Sequence, residues 1–244
     1  MSWEERSDAD VVTRAGAGVE IDEGLRRYML KVYNYMTLGL SVTAFVSYLF
    51  SVTPLGLMFF SANGQPNMLG WVAIFAPLVL IFMLSSAVTS GNAAKAFTLF
   101  IVYSALLGVS LTTIFWAYTG LSVLRVFLIT AGTFAATSLY GYTTNRDMTK
   151  FGGFLTMGLL GIIIATIVNM FLRSPAVYYT ISIVSVFVFV GLTAWDTMKI
   201  REMYEENDAE NQVTSKAIYG AFMLYLDFIN LFLTLLRFFG DRRN

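Results

Sequence analysis

Residues Ser174–Trp195 read SPAVYYTISIVSVFVFVGLTAW, with no Asp, Glu, Lys or Arg among them. A helix needs about 20 apolar residues to cross the hydrocarbon core of a bilayer, and this run supplies them before the first charge, Asp196. The reading extends outward in both directions. Charge is also absent from Val32 to Ala94, from Ala96 to Leu124, from Val126 to Asn145 and from Phe151 to Leu172. Pro54, Gly56 and the segment Ser61–Asn67 (SANGQPN) divide the longest of these into two, because such residues break helices and make turns. The pattern predicts seven membrane helices, near 32–53, 68–88, 95–118, 121–143, 152–172, 177–198 and 217–238. The expected fold class is therefore an all-α membrane protein, a seven-transmembrane-helix bundle.

Composition agrees. The chain is 57% hydrophobic and only 13% charged, with a mean hydropathy of +0.66; a soluble domain carries about twice that charge. A net charge of zero gives no broad basic face, so nucleic acid is not an expected partner. There is no Cys and no His, which removes disulfides, thiol chemistry and the common zinc, haem and Ser-His-Asp sites. No cofactor is expected.

The first 30 residues hold seven acids and no apolar core of a secretory signal, so the first span is expected to serve as an uncleaved anchor. Residues 1–20 read as a disordered acidic tail and residues 21–240 as the membrane domain. Between them, Ile21, Leu25, Tyr28, Met29 and Val32 fit either an interfacial amphipathic helix or an extension of the first span. Lys and Arg favour the cytoplasmic side of membrane proteins. Eleven of the sixteen fall on the N-terminal side of a seven-span arrangement, which predicts a cytoplasmic N-terminus. Arg237, Arg242 and Arg243 then stand on the opposite side unless the last helix is re-entrant, and the sequence leaves both readings.

Of the sixteen acids, fourteen lie in the tail, in loops or at the C-terminus. Asp196 and Asp227 lie in apolar helices. A carboxylate at the centre of a bilayer costs roughly 2.5–3.5 kcal/mol even on the gentler insertion scale, so each needs a reason to be there. The bland reason is a helix cap or a side chain reaching the headgroups, which suits Asp196 better than Asp227. The functional reason is mutual contact. If the sixth helix continues through Thr197–Glu206 and turns near 207–212, the two acids come within about one turn of the same depth. Two such carboxyls share one proton and titrate in coupled steps, which makes a pH sensor in a chain without His. Asn230, one turn after Asp227, is expected to complete the cluster. Gly152, Gly153, Gly158 and Gly161 read as close helix packing, and Arg125 as a side chain reaching the far interface.

The stretches around the two acids carry a resemblance. Phe189–Ile200 (FVGLTAWDTMKI) and Tyr225–Leu233 (YLDFINLFL) resemble the sixth- and seventh-helix signatures of the Bax inhibitor-1 family. Gly24–Met29 (GLRRYM), with Val32-Tyr33 and Gly39-Leu40, is similar to its bacterial branch. The resemblance covers roughly residues 21–240. It implies that helix 7 lies near the centre, surrounded by the other six, and that Asp196 and Asp227 form the pH-sensitive pair linked to calcium leak. Some bacterial relatives pair one acid with a basic residue on helix 2; here that helix has no charge.

Two functions are weighed. The first is a pH-sensitive cation leak in the bacterial inner membrane, calcium being the implied ion. Asp196 and Asp227 would bind it weakly, with Asn230, carbonyls and water completing the six to eight oxygens that calcium takes. The second is an interaction protein modulating a membrane-bound AAA protease or another inner-membrane complex, with the acidic tail as its contact. The bilayer is the partner in either case, and a monomer is the working expectation. An enzyme is not expected. Intramembrane aspartyl proteases carry Tyr-Asp and Gly-x-Gly-Asp, whereas Ala194-Trp195 and Tyr225-Leu226 precede the acids here.

Overall fold

A computed structural model gives the side chains and surroundings of residues 23–144 and 146–243. The expected acidic tail, 1–20, lies outside those residues. The elements are α1 (Trp3–Val52, of which Glu23–Val52 is the apolar span), α2 (Met68–Thr89), α3 (Ala93–Ser110), the short α4 (Thr112–Ala117), α5 (Gly120–Thr143), α6 (Thr149–Leu172), α7 (Pro175–Glu202) and α8 (Glu210–Phe239). With α3 and α4 taken together as one span, Ala93–Ala117, seven spans among the described residues are long and apolar enough to cross a membrane. The protein is an all-α membrane bundle.

Local chemistry sets the boundaries. Asn67 accepts a hydrogen bond from the Gly70 amide at the start of α2, and Asn92 from the Lys95 amide at the start of α3. Thr119 and Ser174 do the same for α5 and α7, the latter with Pro175 in the first turn. Each side chain satisfies an amide that has no intrahelical partner. The α1–α2 connection closes through the pairing of Phe60 with Pro66 across a turn in which Gly64 takes φ +77. α1 runs unbroken from Glu23 through Val32, so the segment before the first span extends that helix.

Burial differs sharply among the spans. In the apolar stretch of α8, 61% of residues are buried, against 6% for α6. α8 packs on α1, α7, α5, α3 and α2, whereas α6 packs on α7. The central helix thus has five close neighbours rather than six. α6 is peripheral because its outer face, with Phe154, Met157, Ile164 and Phe171 exposed, suits lipid and offers little to bury.

α8 also crosses the bundle completely. Trp116 donates its indole N–H to the Ser51 carbonyl, 3.0 Å away, which places α4 at the far end of α1. The segment after α8 pairs with the turn that follows α4: the Thr119 amide donates to the Asp241 carbonyl (3.0 Å) and the Arg243 amide to the Ala117 carbonyl (2.9 Å). Arg242 and Arg243 therefore lie at the end opposite Glu23, where Arg125 and Asp241 also meet at 3.7 Å. Within the bundle α8 therefore runs from one end to the other instead of turning back.

Candidate functional site

Three consecutive residues of α7 address three different neighbours, as the 100° step of a helix requires. The backbone at Ala194 abuts Gly141 of α5, the indole of Trp195 abuts Gly152 of α6, and Asp196 faces α8. Thr197 continues the α5 contact through a hydrogen bond with Ser138, 2.9 Å. α8 divides its faces similarly. The Tyr225 hydroxyl bonds to Thr43 of α1 at 2.7 Å, Phe228 packs on Phe127 and Phe134 of α5, and Asp227 faces α7.

The two acids meet. Both are buried, 8% and 5% exposed, and their carboxyls lie within hydrogen-bond reach of each other. The route differs from the expected hairpin. α7 ends at Glu202, not Glu206, and α8 begins at Glu210. Ile200 packs on Gly220, so the first ten residues of α8, about 15 Å at 1.5 Å each, extend beyond that level. The connection Met203–Ala209 descends beside them, held by Lys216, whose Nζ lies 2.6 Å from Asp208 Oδ2 and 3.5 Å from Glu205 Oε1. Counted from the Ile200–Gly220 contact, Asp196 lies four residues along α7 and Asp227 seven along α8, so the two acids come within about one turn of the same depth.

An ionised carboxylate only accepts hydrogen bonds, so two of them bond to each other only through a proton. Asp196 Oδ1 and Asp227 Oδ2 are in addition buried without any protein partner. A buried acceptor left unsatisfied costs about 1–3 kcal/mol, which water or a cation would recover. The pair thus keeps two carboxyl oxygens without a partner in the protein. Asn230 does not join it. Its amide donates to the Leu226 carbonyl one turn back, at 2.9 Å, and it makes no bond to either acid.

Among the described residues no group of three or more His, Cys, Asp or Glu converges, so two carboxylates are all the anionic oxygen a cation meets here. Lys199, one turn after Asp196, lies over the Trp195 ring at 5.0 Å. No basic residue occurs on α2. Of the glycines expected to serve close packing, Gly152 and Gly158 do so, against Trp195 and Val188 of α7, while Gly153 and Gly161 face open space; the glycine contact that sequence reasoning missed is Gly141, which makes the α5–α7 crossing.

Comparison with known proteins covers the whole membrane domain. A family model described as inhibitor of apoptosis-promoting Bax1 matches residues 25–244. An uncharacterized protein of Rickettsia prowazekii is 45% identical over 236 residues, covering 96% of this chain and 97% of its own. The inner membrane protein YbhL of Escherichia coli is 43% identical over 240 residues, 98% of each chain. An uncharacterized protein of Borreliella burgdorferi is 42% identical over 219 residues, 89% of this chain and 93% of its own.

Proposed function

We propose that this chain, which belongs to the Bax inhibitor-1 family, is a pH-sensitive cation leak gated by Asp196 and Asp227. The observation that carries the reading is the contact of the two buried carboxyls across the α7–α8 packing. At low pH the shared proton ties α8 to α7. When the proton leaves, two like charges face each other in a medium where repulsion is strong. Their energy falls if the helices part, if water enters or if a cation settles between them. The protonated pair therefore favours a closed state, and the ionised pair an open, cation-attracting one.

Calcium is the ion we assign to the leak, as cargo and not as a resident metal. Two carboxylates hold it weakly, and a permeation site must release what it binds. The chain acts without a cofactor and is not an enzyme. We place it in the inner membrane, as the name of its Escherichia coli relative suggests, with the N-terminus cytoplasmic on the strength of the basic residues near it.

The test is flux. Full-length protein in liposomes should pass calcium at neutral pH and less in acid. Asp227→Asn should flatten that dependence. Absence of calcium flux at any pH, or a wild-type profile in Asp227→Asn, would sink the reading.

A further inference from the structure

α1 and α5 both pack on α8 but scarcely touch each other. The gap between them is a groove of three adjoining cavities, about 440, 360 and 320 Å³. The first two share Tyr33 and Phe134 as wall, and the last two share Leu40, Ala44, Phe127 and Phe228. Phe228, Ile229 and Phe232 of α8 form part of its walls. Its margins, Leu30, Leu139 and Leu124, are more than half exposed and continue the apolar outer surface of the bundle. At the end where α1 begins, the exposed Arg26 lines the first cavity.

Width and depth select the occupant. Among the described residues one hydrogen bond spans the gap, between the Tyr33 hydroxyl and Ser138 Oγ at 2.8 Å. A space bridged by one tyrosine and one serine side chain is too narrow for a further helix, which needs about 10 Å. It is wide enough for an extended hydrocarbon chain. From Arg26 to Leu40 the groove runs fourteen residues, about 21 Å, which exceeds the ~15 Å depth of one leaflet of a ~30 Å core. Left empty, the walls would forgo their dispersion contacts. The single charge along it stands at the interfacial end, and a guanidinium suits a phosphate in particular.

We propose that the groove between α1 and α5 seats one acyl chain of an anionic phospholipid, with the phosphate held at Arg26. This site goes beyond the leak reading and does not depend on it. The seated chain touches Phe228, the residue next to Asp227, so the bilayer gains a direct contact with the central helix.

The test uses full-length protein and a phosphatidylglycerol carrying a photoactivatable diazirine in its acyl chain, with adducts mapped by mass spectrometry. Excess phosphatidylcholine should remove adducts from exposed α6 residues such as Ile164 and Phe171, while adducts between Tyr33 and Ala44 and between Phe127 and Ala135 persist. Ala131→Leu narrows the groove and should lower the persistent adducts roughly tenfold, the loss expected when about two buried methylenes are excluded. Arg26→Gln, at an exposed position, should abolish the preference for the anionic lipid while leaving groove labelling by a phosphatidylcholine probe. The proposal fails if groove adducts compete away as readily as those on α6. It fails equally if normally eluting Ala131→Leu labels as wild type does, if Arg26→Gln retains the anionic preference, or if cross-links join two copies of the chain through the groove.

Discussion

Gly152 of α6 lies directly under the indole of Trp195 on α7, leaving no space for even a methyl group at position 152. The residue after that tryptophan is Asp196, so this contact fixes the azimuth at which α7 presents its acid to α8. Gly152→Val must displace either the indole or α6. Overpacking of this kind typically costs about 1–3 kcal/mol, so a lower melting temperature is expected. Trp195 fluorescence should shift with it. Gly153→Val, at a position where an added Cβ would meet nothing within 4 Å, serves as the control and should leave both unchanged.

The sidedness of α8 can be checked by single-cysteine labelling, since the chain has no Cys of its own. Cysteines replacing Asn63 and Arg243 should react with an impermeant reagent from one side of the membrane. Cysteines replacing Thr149 and Ala209 should react only from the other. Labelling of positions 209 and 243 from the same side would contradict a helix that crosses.

Asp196 and Asp227 act as one unit if they share a proton. Asp196→Asn, Asp227→Asn and the double variant should then alter the pH response of flux to a similar extent, because each alone dismantles the pair. The wild-type leak should rise as pH rises, since the proton that joins the helices is present in acid and lost towards neutrality. Effects that simply add would show that the two side chains do not communicate.

Asp147 offers a pH dependence outside the membrane. Its carboxylate accepts from the Thr149 amide at 2.9 Å at the start of α6, and hydrogen bonds from Thr149, aided by nearby Lys150, hold it below the usual carboxylate range. A depressed value means that the stabilisation is present above the unfolded-state range and disappears as pH falls through the folded one. Amide exchange at Phe151–Phe154 should therefore be slower at neutral pH than in strong acid, beyond the intrinsic effect of pH. Asp147→Asn should remove that difference without changing flux.

The spans were legible because charge-free runs of bilayer length are hard to place anywhere else, and Asp196 and Asp227 stood out as acids inside them. The arrangement of the helices was less legible, for a physical reason. In lipid, an apolar residue suits the outside of the bundle as well as the inside, so hydropathy does not rank helices by depth. α6 carries the more apolar span, yet α8 is the one buried, and only the resemblance pointed to its place. Asn230 misled because an amide in a helix can satisfy itself on the carbonyl one turn back, here Leu226. The loop before α8 was misjudged because no residue in Thr197–Glu206 forbids a helix. The turn is set instead by Lys216, which gathers Glu205 and Asp208. The strand-like pairing of Tyr118 with Arg242 left no pattern in either segment.

The central position of α8 bears on how the bundle is made. Synthesis proceeds from the N-terminus, so the helix that fills the middle is the last of the seven to leave the ribosome. Until it arrives, α1, α3, α5 and α7 have inserted around a space lined by groups such as Thr43, Ser104 and Asp196, with no Tyr225 or Asp227 to meet them. The six earlier spans then lack the helix on which α1, α2, α3, α5 and α7 all pack. Closure comes when the backbone at Asp241 and Arg243 reaches the turn at Ala117–Thr119, more than a hundred residues back in the chain. A ribosome stalled before α8 should thus yield a protein that is inserted but still open to proteolysis, and release of the last helix should convert it to the resistant form in one step.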